Sequence, residues 1–185
     1  MKLADGKRLV KAARAAVALH FEGRDFVLEN FSEKRGVFVS IHTFSGKGLR
    51  GCIGFSEPLF SLSEGLVKAA LQAAFHDPRF LPLRKDELEN VVFEVSVLTV
   101  PKEVEDIKKI KIGRDGLIAE YDSCKGLLLP QVFAHYKCTV EQALSMTCEK
   151  AGLPGDFWKT GKVKFCSFQA DIFSEKSPDG DVEKQ

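Results

Sequence analysis

No long apolar run occurs in this sequence. Charged residues interrupt every stretch well short of the ~18 apolar residues that a membrane span requires. The start, Met1 to Arg8, already carries Asp5, Lys7 and Arg8, so it does not read as a signal peptide. An excess of charge is also missing: 27 basic residues against 26 acidic ones leave a net charge of +1. That balance argues against a general nucleic-acid or membrane-surface footprint. Five cysteines (Cys52, Cys124, Cys138, Cys148, Cys166) are odd in number and widely spaced, without a Cys-x-x-Cys. They fit reduced thiols in the cytoplasm rather than a disulfide framework or a zinc site. The four histidines are scattered, and no metal-binding pattern emerges. Walker-type loops, dinucleotide fingerprints, Gly-x-Ser-x-Gly and aromatic RNA-binding stripes are absent, so no cofactor is indicated. No internal repeat or low-complexity linker divides the chain.

What is present is enough for a core. A chain of 185 residues with 44% hydrophobic content supports one sizeable core, or two small subdomains sharing one. Leu9, Ala13, Ala16, Val17 and Phe21 recur at helical spacing, which predicts an amphipathic helix from about Asp5 to Glu22, ended by Gly23. Val37 to His42 alternates as a strand, turns at Ser45–Gly48, and returns as Leu49 to Phe55. Ser61 and Glu64 have capping-box spacing before an Ala/Leu-rich helix that runs to about Phe75 and stops at Asp77-Pro78. Val91 to Val100 is a strand with Phe93, Val95 and Val97 on one face and Val92, Glu94, Ser96 and Leu98 on the other. A second hairpin (Gly116–Glu120, Gly126–Leu129), a helix opened by the Thr139/Gln142 box and closed by Gly152, and a last strand from Lys162 to Phe173 follow. Strands in hairpins with helices between groups predict an α+β fold with a largely antiparallel sheet. The expected organisation is a single domain over residues 1–174, with a subdomain junction near 101–111 and a polar, disordered tail at 175–185.

Leu49-Arg50-Gly51-Cys52-Ile53-Gly54-Phe55 is the most unusual stretch. It spends a charge, a thiol and two glycines on an apolar strand. Glycine weakens a strand, so Gly51 and Gly54 point to a bulge, a close backbone approach or a ligand. Cys52 reads as a nucleophile beside the Arg50 cation, or as a small buried hydrophobe. A four-residue hairpin loop sets Cys52 opposite Ile41; a slip or bulge sets it opposite His42, a candidate base. Arg50 and Arg79 together suggest an anion clamp for an acidic small molecule. The plainer alternative is a structural ion pair, with Glu94 as partner to either arginine. Glu94 and Ser96 share a strand face, and Glu94 is otherwise a candidate catalytic carboxylate. Asp77 either joins this site or bonds the backbone of the turn that follows it. Gln131, at a strand end, is placed to bond a ligand or to cap the next helix.

The hexapeptide Leu49 to Gly54 resembles the signature of the AMMECR family. The stretches Ala73–Phe80, Phe93–Leu98, Gly126–Val132 and Thr147–Leu153 agree with it in order and spacing. His76 lies inside a matching stretch without belonging to the family pattern there. The resemblance implies an α+β fold of two intertwined subdomains, with the signature near a cleft, and brings no assigned reaction. It also implies a stand-alone prokaryotic form, linked by neighbourhood or fusion to MEMO-type and radical-SAM proteins. Two functions are therefore expected. One is an anion-binding cleft or enzyme component with Cys52 and Glu94 at the reacting centre. The other is a non-catalytic adaptor for a MEMO-type or radical-SAM partner.

Overall fold

A computed structural model describes all residues, Met1–Gln185. The chain forms two compact units. The first comprises Met1–Val97 and Asp171–Gln185, and the second comprises Leu98–Ala170. The chain leaves the first unit and re-enters it, so the passage is made twice, at Val97/Leu98 and Ala170/Asp171. The junction expected near 101–111 lies a few residues earlier.

The first unit holds helices α1 (Leu3–His20) and α2 (Leu62–Phe75) and strands β1 (Val37–Thr43), β2 (Leu49–Phe55) and β3 (Val91–Leu98). Strands β8 (Ala170–Glu175) and β9 (Val182–Lys184) complete it. Its sheet has the order β2-β1-β3-β8-β9, which makes β2 an edge strand. The capping box of α2 forms as expected: Ser61 Oγ accepts the Glu64 N–H, and the Glu64 carboxylate accepts the Ser61 N–H. One sheet face, with Val37, Val39, Ile41, Phe93 and Val95, packs with Leu9, Val10 and Val17 of α1 and Leu66 and Ala70 of α2. A buried pair crosses this core. Arg14 Nη2 lies 2.6 Å from Glu175 Oε2, and its guanidinium also donates to the Leu88 and Val91 carbonyls. Glu175 in turn accepts the Phe93 N–H. Each polar atom taken from water therefore finds a partner, the condition for tolerating such a pair.

The second unit holds β4 (Lys102–Glu103), β5 (Gly116–Tyr121), β6 (Cys124–Leu128), β7 (Lys164–Phe168), α3 (Pro130–His135) and α4 (Val140–Lys150). Its antiparallel sheet has the order β4-β7-β5-β6. Leu117, Ala119, Phe133, Leu144, Cys148 and Phe165 make its core. The fold is α+β, as the hairpin pattern predicts.

Two expectations are corrected. The last strand is not continuous. It breaks at Gln169, whose backbone N–H and C=O are taken by Thr99, so β7 and β8 join different sheets. The segment 175–185 is not disordered either. Its polar composition conceals a hairpin partner: β9 pairs antiparallel with β8, Val182 is buried, and Lys184 Nζ lies 2.6 Å from Asp171.

Candidate functional site

The signature occupies β2, and its register decides what each residue does. His42 pairs with Leu49 and Ile41 with Gly51, so Arg50 is an extra residue, a β-bulge. The turn and the bulge together set Cys52 opposite Ser40, neither of the two partners expected. Leu49 pairs with His42 rather than Phe44, a wider turn that carries the register away from His42 by two residues, and the extra residue in β2 brings it back by one. Gly51 is the close-approach glycine: a Cβ there would collide with the Ala73 carbonyl of α2. A Cβ on Gly54 would run into the Phe38 ring and the Val37 carbonyl. Both glycines are thus accounted for by packing.

The two arginines do not converge on an open anion site. Arg50 is bidentate on Glu87, with Nε to Oε1 at 2.8 Å and Nη2 to Oε2 at 3.0 Å. Its remaining donors reach the Leu81 and Pro82 carbonyls. The expected Arg50–Glu94 pair does not form, because the bulge directs Arg50 to the 81–87 segment. Arg79 is bidentate on Asp77, with Nε to Oδ1 at 3.0 Å and Nη2 to Oδ2 at 2.7 Å. That pair also closes the sheet edge: Asp77 Oδ2 accepts the Cys52 N–H at 2.8 Å, and Arg79 Nη2 donates to the Cys52 carbonyl at 3.1 Å. Both main-chain groups of Cys52 thus face away from β1 and are satisfied by side chains. An edge strand otherwise leaves such groups open. Asp77 also accepts the Arg79 N–H, the turn bond expected of it. The Arg79 guanidinium holds the Asp77 carboxyl far below its usual range.

Side chains that alternate on the other face of the sheet form a polar row. Ser40 pairs with Cys52 on one side and with Glu94 on the other. Cross-strand pairs share a face, so Cys52, Ser40 and Glu94 lie side by side over β2, β1 and β3. His42 and Ser96 lie two residues away on the same face. Ser40 Oγ donates to Cys52 Sγ at 3.2 Å. Burial pushes the Cys52 thiol upward. Glu94 and Asp77 reinforce this, while the Ser40 bond and the Arg79 charge oppose it. Cys52 is therefore a protonated thiol at neutral pH, not the activated thiolate that a neighbouring Arg50 would imply. Glu94 is half-buried and has neither an ion pair nor a hydrogen bond; burial alone raises its carboxyl. His42 is lowered by burial, and its neutral ring offers one donor and one acceptor. Ser96 is buried at 2% exposure.

Glu94 and His42 line a hollow of about 290 Å³ together with Thr43, Phe44 and Lys47 on one side and Lys176 and Gln185 on the other. Of the predicted residues, the first unit brings together Cys52, Glu94 and Ser96 on one face, and Arg50, Gly51, Gly54, Asp77 and Arg79 along the edge strand. Gln131 belongs to the second unit, where it follows Pro130 in the first turn of α3. Its Oε1 is buried without a hydrogen-bond partner. Sequence reasoning left Ser40 and Lys47 out of the site and reached His42 only as a base for Cys52. Alternation from the Val37–His42 strand puts Ser40 and His42 on one face, and that signal was available. Lys47, in a loop, gives none.

The AMMECR1 family model matches residues 10–173. Protein Ta0236 of Thermoplasma acidophilum is 47% identical, over 97% of this chain and 92% of that protein. Protein MJ0810 of Methanocaldococcus jannaschii is 46% identical, over 98% of this chain and 96% of its own length. The crystal structure of the uncharacterized protein PH0010 from Pyrococcus horikoshii superposes with a TM-score of 0.93 at 40% identity, covering 100% of this chain and 98% of that one. Signature, fold and near full-length matches agree, and the chain belongs to the AMMECR1 family.

Proposed function

We propose that this protein binds a small polar molecule at the polar face of its five-stranded sheet and exchanges a proton with it through Glu94 and His42. The observation that supports this reading is Glu94. It is a half-buried carboxylate on an interior strand that opens on a hollow and has no partner. Burying such a group without compensation is costly, and perturbed carboxyls of this kind cluster at functional sites. Cys52 and Ser40 extend the row with a thiol and a hydroxyl. An anionic ligand clamped by Arg50 and Arg79 fits less well, since Glu87 and Asp77 already hold both guanidinium groups. The setting proposed is the cytoplasm, in keeping with five unpaired cysteines. The test is a small-molecule library screened by amide chemical shifts of ¹⁵N-labelled protein. Ligands that shift the 42–47 and 91–95 amides, and lose that effect in Glu94→Gln, support the reading. A library that leaves those amides unmoved counts against it.

A second reading, a non-catalytic adaptor for a MEMO-type or radical-SAM protein, draws support from exposed apolar side chains. Leu81 is 84% exposed and Val27 is 79% exposed. No helix is long and apolar enough to cross a membrane. Titration of the purified protein with a purified MEMO-type protein in a calorimeter tests it. Heat of binding that disappears in Leu81→Ser supports the adaptor, and no heat removes that partner.

A further inference from the structure

The charges around the Glu94 hollow can be accounted for one by one. Glu175 is buried and fully engaged by Arg14 and the Phe93 N–H. Lys176 and Glu183 form their own exposed pair at 3.5 Å. His42 is held neutral by its burial. Among the side chains of the lining one anion and one cation remain unpartnered: Glu94, half-buried on β3, and Lys47, exposed in the loop between β1 and β2. Phe44 and Val92 add apolar surface to the same lining. At about 290 Å³ the hollow sits at the low end of the roughly 300–1,000 Å³ typical of sites for drug-sized ligands. The fitting ligand is smaller than that.

We infer that the hollow takes a zwitterionic molecule of the amino-acid class, its ammonium against Glu94 and its acidic group toward Lys47. The assignment rests on the binding reading above and gives the ligand a class and a direction. An ammonium is the compensation that the Glu94 carboxylate lacks in the protein itself. An anionic ligand without a cation would leave Glu94 unpaired and add repulsion. A simple amine would satisfy Glu94 and leave Lys47 unused. The imidazole of His42 lines the same hollow and suits a polar backbone.

The test is a set of ω-amino acids of increasing length, from glycine to 6-aminohexanoate, with butylamine and butyrate as single-charge controls. Each is titrated into the intact protein and followed by the 42–47 and 91–95 amides. At least one zwitterion is expected to bind about three- to fivefold tighter than butylamine, the contribution of one exposed charge pair. Lys47→Ala is expected to erase that advantage and leave butylamine unchanged. Glu94→Gln is expected to weaken both by about thirtyfold or more, as when one side of a desolvated charge pair is removed. Butyrate binding as well as any zwitterion, or an advantage that survives Lys47→Ala, overturns the inference. If other library molecules shift these amides while no zwitterion outperforms butylamine, the inference fails and the binding site stands. If nothing shifts them, both fail.

Discussion

Replacing Glu94 by glutamine separates a functional carboxylate from a structural one by the sign of a single curve. Burial raises the Glu94 carboxyl above the ordinary glutamate value of 4.5, and nothing in the fold offsets it. Over the pH window above 4.5 the folded protein holds a proton that the unfolded chain has released. The unfolded state then binds fewer protons, so stability falls as pH rises through that window. Below it both states are protonated and no penalty exists; above the raised folded value the penalty is complete. Each pH unit of that window costs about 1.4 kcal/mol at neutral pH. For a chain of this length that is about 3–6 °C in Tm. Glutamine keeps the shape and carries no charge at any pH. The variant is therefore expected to match the wild type near pH 4 and to exceed it at about pH 7. Scanning calorimetry of both proteins from acid to neutral pH reads the difference. Subtraction cancels carboxyls such as Asp77 and Asp171, which are held below their usual values and act with the opposite sign in both proteins. A Glu94→Gln protein that is less stable at neutral pH, or a flat difference curve, refutes the reasoning, because either result means the carboxylate has a stabilising partner.

Three further outcomes are expected. Gly51→Ala pushes a methyl into the Ala73 carbonyl of α2 and is expected to cost about 1–3 kcal/mol in urea unfolding, whereas Gly46→Ala, which meets only Thr43 Oγ1 at 3.4 Å, changes little. Arg14→Ala leaves the Glu175 carboxylate buried without its cation and is expected to cost about 3–5 kcal/mol in the same assay, while the Arg14→Met/Glu175→Met double variant loses less than Arg14→Ala alone. Cys52 alkylation by iodoacetamide, followed by mass spectrometry, is expected to have a pH midpoint above that of a free thiol, since burial raises it; Glu94→Gln removes one of the groups that raise it and is expected to move the midpoint down.

Local signals were legible wherever one residue type has one physical use. The Ser61/Glu64 and Thr139/Gln142 boxes, the alternation of Phe93, Val95 and Val97, and the arrest at Asp77-Pro78 all appear in the structure as read. What could not be read depended on pairing at a distance. The break at Gln169 is set by Thr99, 70 residues earlier in the chain. The strand at Val182–Lys184 is held by β8, and its own composition is that of a solvated tail. The wider turn, with Leu49 on His42, and the Arg50 bulge together left the hairpin one residue off the expected register and changed the partner of every residue after it. The bulge is why Arg50 meets Glu87 rather than Glu94, and turn and bulge together are why Cys52 meets Ser40.

The signature strand combines two kinds of oddity, and only one of them marks chemistry. Gly51 and Gly54 exist because backbone and ring atoms occupy the space of their missing side chains. Arg50 exists to hold the 81–87 segment through Glu87 and two carbonyls. Asp77 and Arg79 exist to complete the hydrogen bonds of an edge strand at Cys52. Each of these polar groups is satisfied, and a satisfied group has its energetic reason within the fold. On the polar row the accounting stays open at Glu94, which sits on β3 rather than on the signature strand. The Cys52 thiol touches that row through Ser40, and His42 flanks it. The hexapeptide of the signature therefore builds the edge and carries one thiol to the row, while the group left without a partner for a ligand to satisfy comes from β3, two strands away.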